Sequence, residues 1–273
     1  MLNRFAILVA VCALLVVGSG AIVTSSRETI SAGNSARVET PLGADVHPVL
    51  GEGLAGIALA LAVALWMSKR PALTTMAIVV VVLCAADALV AFARPVDADR
   101  AVLHAWLAAA LFAALSATVL FTSQYWEQPP VSVGDRGMRF LRPLAIATPP
   151  LVLIQIVLGA MYRHKMTSVF WHMGGALLVS LATLIGAMVV IQQYPEHRAM
   201  RSSATALMSV LLTQVAFGVA AFTLQLLDTG NALALELSTV AHVVVGNLTL
   251  ASSLIFAIEV QRSVRGSVEA GNT

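Results

Sequence analysis

Charge is what this chain has least of. Only 11% of its 273 residues are Asp, Glu, Lys or Arg, and 16 basic against 14 acidic side chains leave a net charge of +2. A soluble domain needs more charge than that on its surface, and nucleic-acid binding needs clustered cations. Cysteine is scarce as well: Cys12 and Cys84 both fall inside apolar runs, without C-x-x-C spacing. That pattern argues against thiol–disulfide chemistry and against a zinc site. Two short catalytic signals are missing too. No H-E-x-x-H occurs, and Val17-Gly18-Ser19-Gly20 lacks the first glycine of the G-x-S-G found in intramembrane serine proteases.

What the chain does have is apolar sequence, at 59% hydrophobic residues and a mean hydropathy of +0.88. Crossing a bilayer takes about 20 apolar residues. Eight runs of that size are expected to span, roughly at 4–25, 47–67, 72–93, 101–122, 143–163, 168–192, 203–226 and 234–260. The expected fold is all-α and integral to the membrane. Asn3 and Arg4 before the first run, and the small residues at its end, also fit a cleaved signal peptide, although the run is long for one.

Lys and Arg gather on the cytoplasmic side of membrane proteins. With a cytoplasmic N-terminus, the inner segments hold Arg4, Lys69, Arg70, Arg136, Arg139, Arg142, Arg198, Arg201, Arg262 and Arg265, against Arg27, Arg37, Arg94, Arg100, Arg163 and Lys165 outside. Both termini are therefore expected in the cytoplasm. The long inner connection, with Pro129, Pro130, Gly134 and Gly137, splits the spans into two groups of four. The expected organisation is an N-terminal four-helix half (1–122), a cytoplasmic linker (123–142), a C-terminal four-helix half (143–262) and a cytoplasmic tail (263–273). Both halves enter the membrane in the same sense, as in parallel repeats about an axis along the membrane normal.

Six histidines are present, and four of them sit one apiece on the even-numbered spans: His47, His104, His172 and His242. A histidine inside an apolar span is expensive and marks a candidate site. All four spans run from outside to inside, so the four rings lie at a similar depth. Two imidazoles from facing helices can hold a flat macrocycle through its iron. The pairs expected are His47 with His104 and His172 with His242. The residues four positions on, Gly51, Ala108, Ala176 and Gly246, are small and would leave room for a porphyrin plane. In the hinge, Arg163, His164 and Lys165 are candidates for a haem propionate, while His197 reads as a solvated loop residue. Asp87 in the third span is expected to be buried and either paired or protonated, with proton transfer as a candidate role and no partner identifiable from sequence.

The stretch Gln155-Ile156-Val157-Leu158-Gly159-Ala160-Met161-Tyr162-Arg163, followed by His172, resembles the Q-x-x-L-G-A-x-x-R helix ending of the haem A synthases. These are bacterial inner-membrane and related enzymes of cytochrome oxidase assembly, and the likeness extends through helix count, topology and histidine placement. The resemblance implies two pseudo-symmetric four-helix bundles, with haem b held by His172 and His242 and helped by Arg163 and His164. It further implies that His47 and His104 face a site where the C8 methyl group of haem O becomes the formyl group of haem A. The implied partners are the lipid bilayer, haem O synthase and an electron donor, and homo-oligomerisation is compatible with it. Three features depart from the family: no cysteine pair in the first outer loop, Ala44 where a glutamate is usual, and Thr24 where arginine is usual. Asp45, Glu39 and Glu52 are the candidates for the missing acid. The alternatives are a haem b protein of electron transfer or haem handling without synthase activity, and a transporter or assembly subunit whose histidines only hydrogen-bond.

Overall fold

The computed structural model describes residues 1–31, 41–92, 97–136, 138–228 and 230–265, with the backbone alone for 27–31, 41–45 and 265. Nearly all of it is helix: α1 (Leu2–Ser31), α2 (Pro41–Met67), α3 (Pro71–Phe92), α4 (Ala98–Phe121), the short α5 (Gln124–Glu127), α6 (Leu141–Arg163), α7 (Val169–Gln193), α8 (Arg198–Leu226) and α9 (Ala232–Ser263). All but α5 are long and apolar enough to cross a membrane, which makes this a multi-pass membrane protein. In hydrocarbon a helix satisfies its own backbone hydrogen bonds, so apolar runs of this length have little alternative.

Local chemistry sets where the helices end. Pro71 opens α3, where its missing N–H costs nothing. Asp97 caps α4 by accepting from Arg100 N at 2.9 Å, and Asn231 caps α9 by accepting from Ala234 N at 3.0 Å. The α2–α3 and α6–α7 hairpins turn through left-handed lysines, Lys69 (φ 55°) and Lys165 (φ 58°).

The spanning helices form two rings. In one, α1 packs on α2, α2 on α3, α3 on α4, and α4 returns to α1; in the other, α6, α7, α8 and α9 close in the same order. The rings meet where α1 touches α9, α4 touches α6, and α4 touches α9. Accordingly α4 and α9 are the most buried spans. Small residues let them approach: Ala109 and Ala113 of α4 pack with Val152, Val179 and Leu250 between the rings.

Each ring is tightly packed at one end only. Val9, Leu61, Leu65, Leu73, Val80 and Leu115 fill the first ring near the N-terminus. Leu141, Val190, Tyr194, Met200, Leu207, Phe256 and Val260 fill the second at the same end. Towards the other end burial thins: the last buried residue of α6 is Val152, the first of α7 is Val179 and the last of α8 is Leu211, while Ala21, Ser25, Val102 and Glu236 stay buried on the helices that join the rings.

The linker is pinned to the tightly packed end. Val133–Gly134 pairs in parallel with Val264–Arg265 just beyond α9. Tyr125 Oη donates to buried Glu259 at 2.7 Å, and the Arg262 guanidinium stacks on Tyr125 and Trp126 while donating to the Gln128 carbonyl. His197 corrects its expected role as a solvated loop residue. It is buried, its Nε2 meets the Val131 carbonyl at 2.8 Å, and its Nδ1 accepts from Met200 N to cap α8.

Candidate cofactor site

Histidine pairs occupy the loosely packed end of each ring. His47 on α2 faces His104 on α4 with ring centres 6.2 Å apart and planes at 73°. His172 on α7 faces His242 on α9 at 6.0 Å and 84°. Both expected pairings are thus brought together across helices that are not sequence neighbours.

A second set of residues, on the helix preceding each histidine, orients the rings. Ser19 Oγ donates to the Val16 carbonyl at 2.8 Å, so the lone pair left over accepts His47 Nδ1–H at 2.9 Å. Asp87 Oδ1 accepts from His104 Nδ1 at 2.7 Å. His242 Nδ1 donates to the Gln214 carbonyl at 3.0 Å. In these three an acceptor claims the Nδ1 proton and leaves Nε2 with its lone pair, the tautomer a metal ligand needs. At His172 the Gln155 carboxamide lies 2.9 Å from Nδ1 and donates to the His172 carbonyl at 2.7 Å. The amide end that meets Nδ1 is Nε2, a donor that the carbonyl bond fixes in place, so here Nδ1 accepts and the ring proton sits on Nε2. Gln155 Oε1 is buried without a partner among the described residues.

Glycines supply the space. A Cβ on Gly20 would come within 2.9 Å of His47 Cε1, one on Gly159 within 2.9 Å of His172 Cε1, and one on Gly218 within 2.8 Å of His242 Cε1. Those contacts are closer than a methyl group tolerates, so the three imidazoles lie in notches cut by glycine. Two of the small residues four positions after the histidines are glycines with different surroundings. Gly246 accommodates the Gln214 amide, whose Nε2 would lie 3.0 Å from an added Cβ, and Gly51 faces open space.

The geometry fits iron held between two imidazoles. A metal–imidazole bond is about 2.0–2.1 Å and the ring centre lies about 1.2 Å behind the nitrogen, so two rings across one metal have centres roughly 6.4–6.6 Å apart. The observed 6.2 and 6.0 Å fall slightly short of that spacing, so each pair would open a little to take the metal. Among the described residues no cluster of three or more His, Cys, Asp or Glu side chains gathers. A pair of imidazoles alone suits an iron whose other ligands come from a macrocycle. Gln214 Nε2 also approaches His242 Nε2 at 3.3 Å, a long contact that a metal bond would replace.

The remaining candidates are placed as follows. Arg163, at the end of α6, donates to the Ala21 carbonyl and the Ser25 hydroxyl of α1, tying the rings together at the histidine end. His164 caps α6, and burial first, then the adjacent Arg163 charge, holds its pKa below the usual histidine value. It is therefore a neutral group at pH 7, and Arg163 carries the charge there. Glu52 is exposed, five residues beyond His47 and about 140° round the helix from it. Glu39 and the Asp45 side chain lie outside the described residues. Trp171, next to His172, is 69% exposed and faces outward.

Sequence reasoning missed Ser19 and left Asp87 without a partner. Ser19 and Asp87 each meet a histidine on the next helix, 28 and 17 residues further along the chain, and no repeat in the sequence marks either pairing. The chain matches no family model and no curated protein.

Proposed function

We propose that this chain is a membrane haem protein of the haem A synthase type, oxidising the C8 methyl group of haem O to a formyl group for cytochrome oxidase assembly. The observation that carries the proposal is the pair of facing imidazoles in each ring, spaced for one iron and held at Nδ1. The rings also contact each other in matched fashion: exchanging α1 with α6 and α4 with α9 turns the α1–α9 contact into α6–α4 and leaves α4–α9 unchanged. That pattern supports a duplicated design about an axis along the membrane normal. The distribution of Lys and Arg supports cytoplasmic termini and histidines towards the outer face of a bacterial inner membrane.

On this reading His172 and His242 hold haem b for electron transfer, and His47 and His104 hold the substrate haem. Bound haem supplies the electron transfer and the oxidative chemistry. Ser19, Asp87 and the Gln214 carbonyl leave Nε2 lone pairs on His47, His104 and His242, His172 would give up its Nε2 proton to bind, glycine notches admit the rings, and Arg163 beside the pairs supplies a cation for a propionate. Haem O synthase and a membrane electron donor are the partners this role requires.

One observation favours a second reading, in which the chain binds haem b for electron transfer without synthesis. The first outer loop lacks the cysteine pair and the glutamate of the resembling enzymes. Co-expression with haem O synthase, followed by haem extraction and chromatography, separates the two. The synthase reading predicts haem A in the extract with haem b. Haem b alone supports the second reading, and haem-free protein from a haem-replete host contradicts both.

A further inference from the structure

All four histidines meet a partner at Nδ1, and among the described residues it is His104 that meets a carboxylate. His47 meets a serine hydroxyl, His172 a carboxamide and His242 a backbone carbonyl, whereas His104 meets Asp87 at 2.7 Å. That length is typical of a charge-assisted hydrogen bond. Asp87 is five residues from the end of α3, inside a membrane span, and its side chain is only 19% exposed. A carboxylate at such depth is costly unless it is paired, and the second ring has only amide groups in this role. Gln214, which reaches His242 from α8, occupies the place in its ring that Asp87 occupies in α3, yet holds its histidine through a neutral carbonyl.

A carboxylate on the far nitrogen of an imidazole fixes the ring and makes it a more basic ligand. Hydrogen bonding of this kind is one of the means by which proteins set the potential of bound haem. We propose that Asp87 is a positioning residue that makes the two haem sites electronically unequal. By accepting the His104 Nδ1 proton it strengthens His104 as a donor, favours ferric over ferrous iron between His47 and His104, and puts the midpoint potential of that site below that of the His172–His242 site. The proposal rests on the reading of the histidine pairs as iron ligands. It goes beyond that reading by giving the halves different redox characters from one side chain.

The experiment is a redox titration, followed in the Soret band, of the full-length protein in detergent loaded with hemin. Two midpoints are expected, the lower one belonging to the component lost in His47→Ala or His104→Ala. Asp87→Asn, which keeps the shape and removes the charge, should raise the lower midpoint and leave the other in place. Asp87→Glu should return it most of the way. An Asp87→Asn protein that still binds hemin in both halves but shows an unmoved lower midpoint, or an equal rise in both, overturns the proposal. So does a wild-type protein whose His47–His104 midpoint is the higher one, a comparison that needs no Asp87 variant to fold. If His47→Ala and His104→Ala leave the hemin spectrum unchanged, the ligand reading itself fails and the inference falls with it.

Discussion

A single methyl group decides whether a histidine can sit where three of these do. Gly20, Gly159 and Gly218 each face an imidazole edge at a distance that excludes a Cβ. Replacing one with alanine pushes the ring aside, and overpacking of this kind costs about 1–3 kcal/mol. If that cost is felt in the bound state, it weakens haem binding by roughly 5- to 150-fold. Gly159→Ala and Gly218→Ala should lower the haem retained by the His172–His242 pair, whereas Gly20→Ala should leave that haem in place. Haem per protein after purification, read from the pyridine haemochrome, checks this. The histidines were legible in the sequence because ionisable groups in apolar runs stand out. Their glycine notches and Ser19 were not, because in a chain rich in small residues only the folded contact shows which one faces a ring. Asp87 was conspicuous as a charge, yet its partner lies on the next helix across a turn whose geometry the apolar pattern does not encode.

At the scale of elements, hydrophobic length made all eight spans readable, and loops accounted for most of what was not. The prolines and glycines marked the linker as a connection between halves but not its anchorage: α5, the Val133–Gly134 pairing and His197 bind it to α8 and α9. Such contacts join residues from 66 to 134 positions apart through single side chains or a two-residue backbone pairing, which no periodicity reports. The Tyr125–Glu259 bond is the clearest. Burial first, then the bond to Glu259, pushes the Tyr125 hydroxyl up to about 12. Because the folded value lies above the ordinary tyrosine value of about 10, the bond's contribution is fully present below pH 10 and is lost as pH rises towards 12. Tyr125→Phe should cost about 1–2 kcal/mol at neutral pH, because a carboxylate loses a donor, and should flatten the fall in stability above pH 10. Thermal unfolding in detergent between pH 7 and 12 measures both effects. His164 works in the opposite sense. With its pKa below the ordinary value of about 6.5, it favours folding above that pH and destabilises as pH falls below it. His164→Gln should therefore reduce the loss of stability on acidification from pH 7 to 5.

For the whole molecule, the two rings share one plan: tight packing at the linker end and a histidine pair at the other. Arg163 of the second ring reaches Ser25 and Ala21 of the first, so the two pairs stand beside each other at a common end. The division into halves could be read from the linker composition and the placement of the histidines. The route by which the halves meet, through α4 and α9, could not, because nothing in an alanine-rich span distinguishes a central helix from a peripheral one. The central claim is that each pair holds its own haem, and the most direct measurement is the set of absorbance spectra of four single variants purified from a haem-replete host. The account predicts that His172→Ala and His242→Ala each abolish the same haem b component, while His47→Ala and His104→Ala spare it and stop haem A formation. Four variants with the wild-type spectrum and unchanged haem content would contradict it.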